Sequence, residues 1–283
     1  MTQISKLAVI EPGAQIGTDV AIGPFCYVGP HVEIGDGCIL HNNVTVVGHT
    51  RLGEHNVFYQ NTVIGEAPQD LKYQGQPTET IIGDRNVFRE NVTVHRGTEL
   101  GGSRTVVGSA NLFMVGTHIA HDCIVGDGVI LANQTQLAGH VCVEDGAALM
   151  ALVGVHHFVT VGKFSYIGGM TPVHRDVPPF MKFAGDPNEV RAVNEEGLKR
   201  HDFTSEDIDV LKRKHRQLFR NSCSIAESLE KLKSQPEHNE HVAYLCDFMR
   251  KSCQGRFGRY LEAKRRDTRA DRRHRMPAEV RED

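Results

Sequence analysis

The sequence predicts a mainly β chain, a parallel β-helix solenoid followed by a C-terminal α-helical domain, and three observations carry that prediction. First, every sixth residue from Val107 to Val173 is apolar, twelve times in succession. With 40% of the chain apolar, chance agreement at twelve fixed positions is roughly one in 10^5. Second, a period of six matches neither the 3.6-residue turn of a helix nor a simple alternating strand. It fits short strands joined at corners, three hexads to a coil of eighteen residues, with coils stacked at the about 4.8 Å spacing of hydrogen-bonded strands. Third, the hexads stop after Val173, prolines follow at 178, 179 and 187, and helical periodicity takes over.

The six-residue phase begins early, at Ile10, Ile16, Ile22, Val28, Ile34, Leu40, Val46, Leu52, Phe58 and Ile64. The first ten residues accordingly read as a lead-in. Glycine follows many of these positions, among them Gly17, Gly23, Gly35 and Gly53, as expected where the chain bends sharply and a Cβ is costly. The phase lapses near residues 66–80, which hold Pro68 and Pro77, and again near 97–105, around Gly101-Gly102. Both read as loops thrown out from corners, which a solenoid tolerates because each coil touches only its neighbours. The β-helix domain is expected over residues 1–186 and the helical domain over 187–263. Within the latter, a short helix is expected near 194–200. Ser205-Glu206-Asp207 opens a helix carrying Ile208, Leu211, Leu218 and Phe219, and Ser224-x-x-Glu227 matches a capping box before Leu229 and Leu232. Val242, Leu245, Phe248 and Met249 form a further amphipathic face. The charged stretch 264–283 is expected to be a disordered tail.

Composition narrows the function. A net charge of -3 supplies no global field for nucleic acid or an anionic membrane. Since no stretch has eighteen consecutive apolar residues, membrane insertion is not expected either. The seven cysteines include no Cys-x-x-Cys pair, which suits reduced thiols and a cytoplasmic location. Between Thr105 and His174 only 5 of 70 residues are charged, against 24% of the chain. A lone prism with three wet faces should carry more, so part of this surface is expected to lie against other copies of the chain.

The solenoid also gathers histidines that are scattered in sequence. His121, Gly139 and His157 are eighteen residues apart and belong in one column, with His118, His140 and His156 beside it. An imidazole inside a narrow apolar prism would be costly, so a turn is expected after Ile119 that faces His121 outward. His121 is then a candidate general base near neutral pH. Gly139, one coil along, offers an unobstructed N–H to a developing oxyanion. Base and donor about 5 Å apart suit direct acyl transfer to a hydroxyl. Two other uses remain open on the residues alone. Three of His118, His121, His140, His156 and His157 could ligate zinc, and Cys123 or Cys142 could act as a nucleophile, although both sit beside inward positions. Gly-x-Ser-x-Gly and Gly-x-x-x-x-Gly-Lys motifs are missing, which weakens serine-hydrolase and P-loop readings.

Several contiguous motifs go further: Ile22-Gly23-Pro24-Phe25-Cys26, Gln69-Asp70-Leu71-Lys72-Tyr73, Val94-His95-Arg96-Gly97-Thr98, Thr117-His118-Ile119-Ala120-His121-Asp122-Cys123, Leu137-Ala138-Gly139-His140 and Glu196-Gly197-Leu198-Lys199-Arg200. On these the chain, to about Arg256, resembles the bacterial UDP-N-acetylglucosamine O-acyltransferases that begin lipid A synthesis. The resemblance implies a left-handed parallel β-helix of hexapeptide repeats and a homotrimer with active sites in the clefts between subunits. It implies transfer of a 3-hydroxyacyl group from acyl carrier protein to the 3-hydroxyl of UDP-N-acetylglucosamine, with no cofactor and no metal. His121 would deprotonate the hydroxyl, Asp122 would support that histidine and Gly139 would hold the oxyanion. Gln69, Asp70, Lys72, His118, His140, His156, His157, Asn194, Glu196 and Arg200 would contact the nucleotide sugar or the acyl arm, and Gly169 would leave room for a long acyl chain. A contact between Asp122 and the His121 ring requires a corner there, because adjacent strand residues point to opposite sides. Four features depart from the family pattern: His157 where Gln is expected, His201 where Arg is expected, the glycine-poor coil Ala148–Gly154, and the extension beyond Gly258. The alternatives are amide formation on a 3-amino sugar analogue, a zinc-dependent γ-type carbonic anhydrase on the same solenoid, and a non-catalytic scaffold.

Overall fold

A computed structural model describes the chain over residues 1–185, 187–233 and 239–265; most of the expected tail, residues 266–283, lies outside the described residues. Among the described residues, two- to five-residue strands stack into three sheets of eleven, nine and eight strands, and all but the last pairing are parallel. Successive coils meet at a register of eighteen, as in Ile119↔Leu137 and Leu137↔Val155. All twelve hexad residues from Val107 to Val173 point inward and are at most 3% exposed. The reason is geometric. Alternation along each short strand turns the hexad residue and the residue two before it inward, as with Val129 and Leu131, and the stacked coils bury both from either side. In the middle coils Phe58, Phe88 and Phe113 stack at centroid distances of 4.8 and 4.9 Å. Beside them Asn56, Asn86 and Asn111 form a buried ladder, each carbonyl accepting from the next coil's backbone N–H.

The structure corrects two details. The first ten residues are a coil of their own, since Gln3–Ile4 pairs with Ala21–Ile22 and Val9–Ile10 with Tyr27–Val28. And, Gly65 at the start of the first loop apart, the glycine after an inward residue is not where the backbone turns left-handed. The left-handed residue falls third after the inward one, as at Asp19, Phe25, Asn43, Asn61, Asp122, His140, Phe158 and Met170, with φ between 53° and 63°. The glycines at 17, 35 and 53 answer to close stacking instead. A Cβ at Gly35 would lie 2.5 Å from the Gly53 carbonyl oxygen of the next coil.

Both sequence gaps are loops, and both leave the same corner. Phe58 pairs with Phe88 and Ile64 with Val94, thirty positions apart in place of eighteen. Ile82 then pairs with Val107, twenty-five positions along. Each loop exits after a strand of the nine-stranded sheet and re-enters at the eight-stranded one, at Glu79 and Arg104. That is the corner which carries His121 one coil later.

At the far end, strand Met181–Ala184 extends the largest sheet and Glu189–Val193 returns antiparallel to it. Sequence reasoning missed this hairpin, whose two strands stand on either side of the boundary expected at 186/187. Four helices follow: α1 Glu195–Arg200, α2 Ser205–Phe219, α3 Ile225–Lys233 and α4 Glu240–Gln254. Thr204 caps α2 through reciprocal bonds with Asp207, and the predicted Ser224–Glu227 capping box forms at the start of α3. Phe180, Met181, Leu198, Ile208, Leu211, Leu218 and Leu245 share a second core, so the helices pack on the last coil.

Candidate active site

The expected turn after Ile119 is present. The strand ends there and Asp122 takes φ 61°, a conformation that aspartate tolerates better than most residues. The left-handed corner brings the two neighbouring side chains to one side, and His121 Nδ1 lies 2.7 Å from Asp122 Oδ2. The Asp122 side chain is 0% exposed and fully engaged. Thr98 donates to it twice, from its N–H to Oδ1 at 2.8 Å and from its hydroxyl to Oδ2 at 2.6 Å, while the Asp122 N–H donates to Thr105 Oγ1 at 2.8 Å. A buried carboxylate accepting from Nδ1 fixes the tautomer that leaves the His121 Nε2 lone pair for chemistry.

Thr98 was missed by sequence reasoning. It belongs to the second loop, which curls back onto the corner. Gly101 in that loop is so close to Asp122 that a Cβ would fall 2.0 Å from its Cγ. The Gly101-Gly102 pair was the available signal: its first member permits close approach, its second a φ of +106°.

Gly139 stacks on His121. A Cβ at position 139 would lie 2.5 Å from His121 Cε1 and 2.6 Å from Nε2, so the imidazole rests on a bare α-carbon. The His140 N–H donates to the His121 carbonyl at 3.0 Å, which ties the two coils together. Gly139 is a buried residue, and no acceptor for its N–H is found among the described residues, which leaves that donor available to a ligand. Beyond it His140 crosses His121 edge-on at 5.1 Å and stacks on Phe158 at 4.3 Å.

A cavity of about 280 Å³ opens beside this column, lined by Asp70, Lys72, Thr98, Asp122, His140 and Phe158 among others. Asp70 and Lys72 form an ion pair at 2.7 Å. Burial pushes the Asp70 carboxyl upward, but the Lys72 ammonium and N–H outweigh it and hold the group below the usual carboxylate range. Burial also holds the His140 imidazole down at about 4. His118, beside the corner, is pushed to about 4 by burial first and by neighbouring His95 and His121 second, and its Nδ1 meets Thr93 Oγ1 at 2.7 Å. Both rings are therefore neutral at pH 7.

The other predicted positions are distributed differently. His157 continues the column, its residue largely exposed but its ring packed on His156 at 3.9 Å, and partial desolvation first and His156 second lower it to about 4. Gln69 is exposed in the first loop. Gly169 lies at a second corner, after a strand of the eleven-stranded sheet. Asn194 and α1, with Glu196 and Arg200, lie at the third, where Asn194 Nδ2 donates to the Phe164 carbonyl. One chain thus spreads the predicted set over all three corners.

The rival chemistries fare poorly. Burial pushes the Cys123 and Cys142 thiols up to about 12, so neither is a ready nucleophile. A zinc site of the carbonic anhydrase kind needs three imidazoles. Among the described residues the one group of ligand atoms within reach is His121, Asp122 and His140, within 4.8 Å, and its carboxylate already accepts from three donors.

Comparison with known proteins agrees with this geometry. Residues 176–257 match the family described as UDP N-acetylglucosamine O-acyltransferase, domain 2, and residues 13–48 match the bacterial transferase hexapeptide repeat. A protein of Thermodesulfovibrio yellowstonii named acyl-[acyl-carrier-protein]–UDP-N-acetylglucosamine O-acyltransferase is 41% identical over 255 residues, 90% of this chain and 99% of that protein. This chain belongs to that family. The solved UDP-N-acetylglucosamine acyltransferase of Bacteroides fragilis superposes with a TM-score of 0.85 at 36% identity, covering 88% of this chain and 97% of that one. The enzyme of Acinetobacter baumannii gives 0.83 at 39%, covering 86% and 95%. The solenoid is accordingly the left-handed parallel β-helix of the UDP-N-acetylglucosamine O-acyltransferase family. Among its described residues no helix is long and apolar enough to cross a membrane.

Proposed function

We propose that this protein transfers a 3-hydroxyacyl group from acyl carrier protein to the 3-hydroxyl of UDP-N-acetylglucosamine, the first step of lipid A synthesis. The observation that carries the reading is the His121 imidazole held between the Asp122 carboxylate and the Gly139 α-carbon. His121 Nε2 removes the proton of the sugar 3-hydroxyl as its oxygen attacks the thioester carbonyl. The carbonyl oxygen takes up negative charge, which the Gly139 N–H stabilises. Collapse of the adduct breaks the C–S bond, and the imidazolium returns its proton to the departing thiolate. An ester and a free thiol result, without a metal, a cofactor or an acyl-enzyme. Asp122 stabilises the imidazolium while it exists. Asp70, Lys72, His118, His140, His156 and His157 contact the substrates around this column.

The functional unit in this reading is a homotrimer, because Gly169, Asn194, Glu196 and Arg200 lie at corners of one chain that do not face His121. A neighbouring copy brings a different corner to the cleft. The corner preceding Gly154 and the one holding Gly169 present Leu152 and Met170 at 57% and 76% exposure, apolar surface that a second subunit would cover. Seven free cysteines suit the reducing cytoplasm, where both substrates would be met.

The test is an assay of purified protein with carrier proteins of several acyl lengths and two acceptors, UDP-N-acetylglucosamine and its 3-amino analogue. The expected outcome is O-acylation that chelator leaves undiminished and that falls by about 10³-fold in His121→Ala. Turnover only with the amino sugar, or full turnover without the imidazole, overturns the reading.

A further inference from the structure

Among the described residues a second cavity, of about 240 Å³, adjoins the one beside the His121 column. Ile124, Cys142 and Leu261 belong to the walls of both. The floor of the second cavity is the outer face of the eight-stranded sheet. Ile124 pairs with Cys142 and Cys142 with Thr160, one coil per step, and since Val125, Val143 and Val161 point into the core, the residues before them point out. The roof is a single stripe of α4, where Tyr244, Asp247, Phe248 and Lys251 recur at helical spacing. Leu261 stands where the two cavities meet. Interiors are otherwise close-packed, and the room here comes from the short side chains of Cys142 and Thr160 under the helix.

The charged groups on this wall are already engaged. Asp247 and Lys251 pair at 2.7 Å, and Glu144 accepts from the Lys163 N–H at 2.8 Å. Asp176 accepts from the Thr160 N–H at 2.7 Å and from the Tyr260 N–H at 2.9 Å. What is left to meet a guest is Ile124, which is 54% exposed, with Cys142, Phe248, Leu261 and the Tyr244 ring. Poor hydration shows in the titrating groups as well. Burial is the first cause that pushes the Cys142 thiol up to about 12, the Asp176 carboxyl up to about 6 and the Tyr244 hydroxyl above the usual phenol range. Such a site favours an apolar guest. An apolar cavity of about 150 Å³ accepts benzene, so about 240 Å³ suits a guest of about nine carbons. A floor that runs from coil to coil favours an extended chain over a ring.

We propose that this second cavity binds a straight hydrocarbon chain of about nine carbons, which enters past Leu261 from the cavity beside the His121 column. Two sources supply such a chain, the acyl group of the carrier thioester and a free fatty acid. Only the first rests on the acyl-transfer reading.

The experiment measures binding of a fluorescent straight-chain fatty acid to the full-length protein, with decanoic acid as competitor. Wild type is compared with Thr160→Phe, which fills the floor of the second cavity at a residue that does not line the first. The filled variant is expected to bind the probe about tenfold or more weakly, since several methylenes lose their burial. Thr160→Leu, a smaller filling at the same place, should weaken it severalfold and decides the matter if the phenylalanine variant does not fold. Transfer assays across acyl lengths then separate the sources. A profile shifted toward shorter chains in the filled variant assigns the cavity to the transferred chain; weakened probe binding with an unshifted profile assigns it to free fatty acid. Probe binding and acyl profile both unchanged in a folded filled variant overturn the proposal. A wild type that transfers no acyl group would instead sink the acyl-transfer reading, and probe binding alone would still decide whether the cavity takes a hydrocarbon chain.

Discussion

Replacing Gly139 with alanine separates two roles that this residue can play. Alanine keeps the backbone N–H, so if oxyanion donation were all that Gly139 contributed, the variant would retain activity. The structure predicts otherwise. The added carbon would stand 2.5 Å from His121 Cε1 and 2.6 Å from Nε2, about 1 Å inside the optimal carbon separation of roughly 3.5–4.0 Å. Gly139 is not in the left-handed region, so the backbone itself accepts alanine and the imidazole must yield. Its Nδ1 is tied to a carboxylate that is in turn held by Thr98, and any retreat strains that link. A misplacement of about 1 Å at a reacting group costs on the order of 10²-fold in rate, about 2.7 kcal/mol of activation free energy. Steady-state kinetics should show kcat/KM down by about that factor, with a denaturation midpoint close to wild type. In a His121→Ala background the same substitution should cost little, because no ring remains to be displaced. A folded Gly139→Ala enzyme with undiminished kcat/KM would refute the argument.

Two other perturbations test different parts of the molecule. At Gly169 a Cβ meets the Ala151 carbonyl at 3.2 Å and the residue is exposed, so Gly169→Met is expected to fold, to fill the acyl path at that corner and to shift preference toward shorter chains. An unaltered profile across acyl lengths would show that Gly169 does not measure the chain. Acid should also destabilise the protein. His118, His140 and His157 sit at about 4 in the folded state against an ordinary 6.5, so the stability they contribute is present above 6.5 and lost as pH falls toward 4. Asp176 works in the opposite sense: burial raises it from 3.8 to about 6, so its contribution is greatest below 3.8 and is lost as pH rises through 6. Three imidazoles against one carboxyl give a net fall between pH 7 and 5, and Asp176→Asn should steepen it. Thermal denaturation at the two pH values checks both statements; a flat profile in both proteins would contradict them.

The solenoid was legible because its interior leaves no choice. One inward side chain per hexad must be apolar, and the phase running from Ile10 to Val173 therefore marks nearly every strand. The corners are less constrained and correspondingly silent. The left-handed residue third after the inward one is aspartate at 19, phenylalanine at 25, arginine at 85 and leucine at 152, so no residue type announces it. The contact between His121 and Asp122 could be stated only as conditional on a turn. Thr98 lay deeper still, since its bond to Asp122 spans twenty-four positions and depends on how a loop of irregular length curls back. The same holds for Lys264 and Arg265, which sequence alone places in a charged tail and which line the cavity beside Asp122 and His140, after a turn bonded to Asp176.

The corner also explains why a solenoid suits this chemistry. In most folds the distance between a general base and an oxyanion donor depends on the rotamers of two side chains and on the packing that holds them. In the proposed mechanism the donor is a backbone amide and the base stands one coil away, so the strand ladder sets their separation. The bond from the His140 N–H to the His121 carbonyl, at 3.0 Å, is part of that ladder and cannot lengthen without parting two coils whose cores are continuous. Asp122 then fixes the one remaining freedom, rotation of the imidazole. Both loops that wall the cavity leave the same corner in the preceding coils, so their sequences can change the substrate held there without disturbing the spacing on which proton transfer depends.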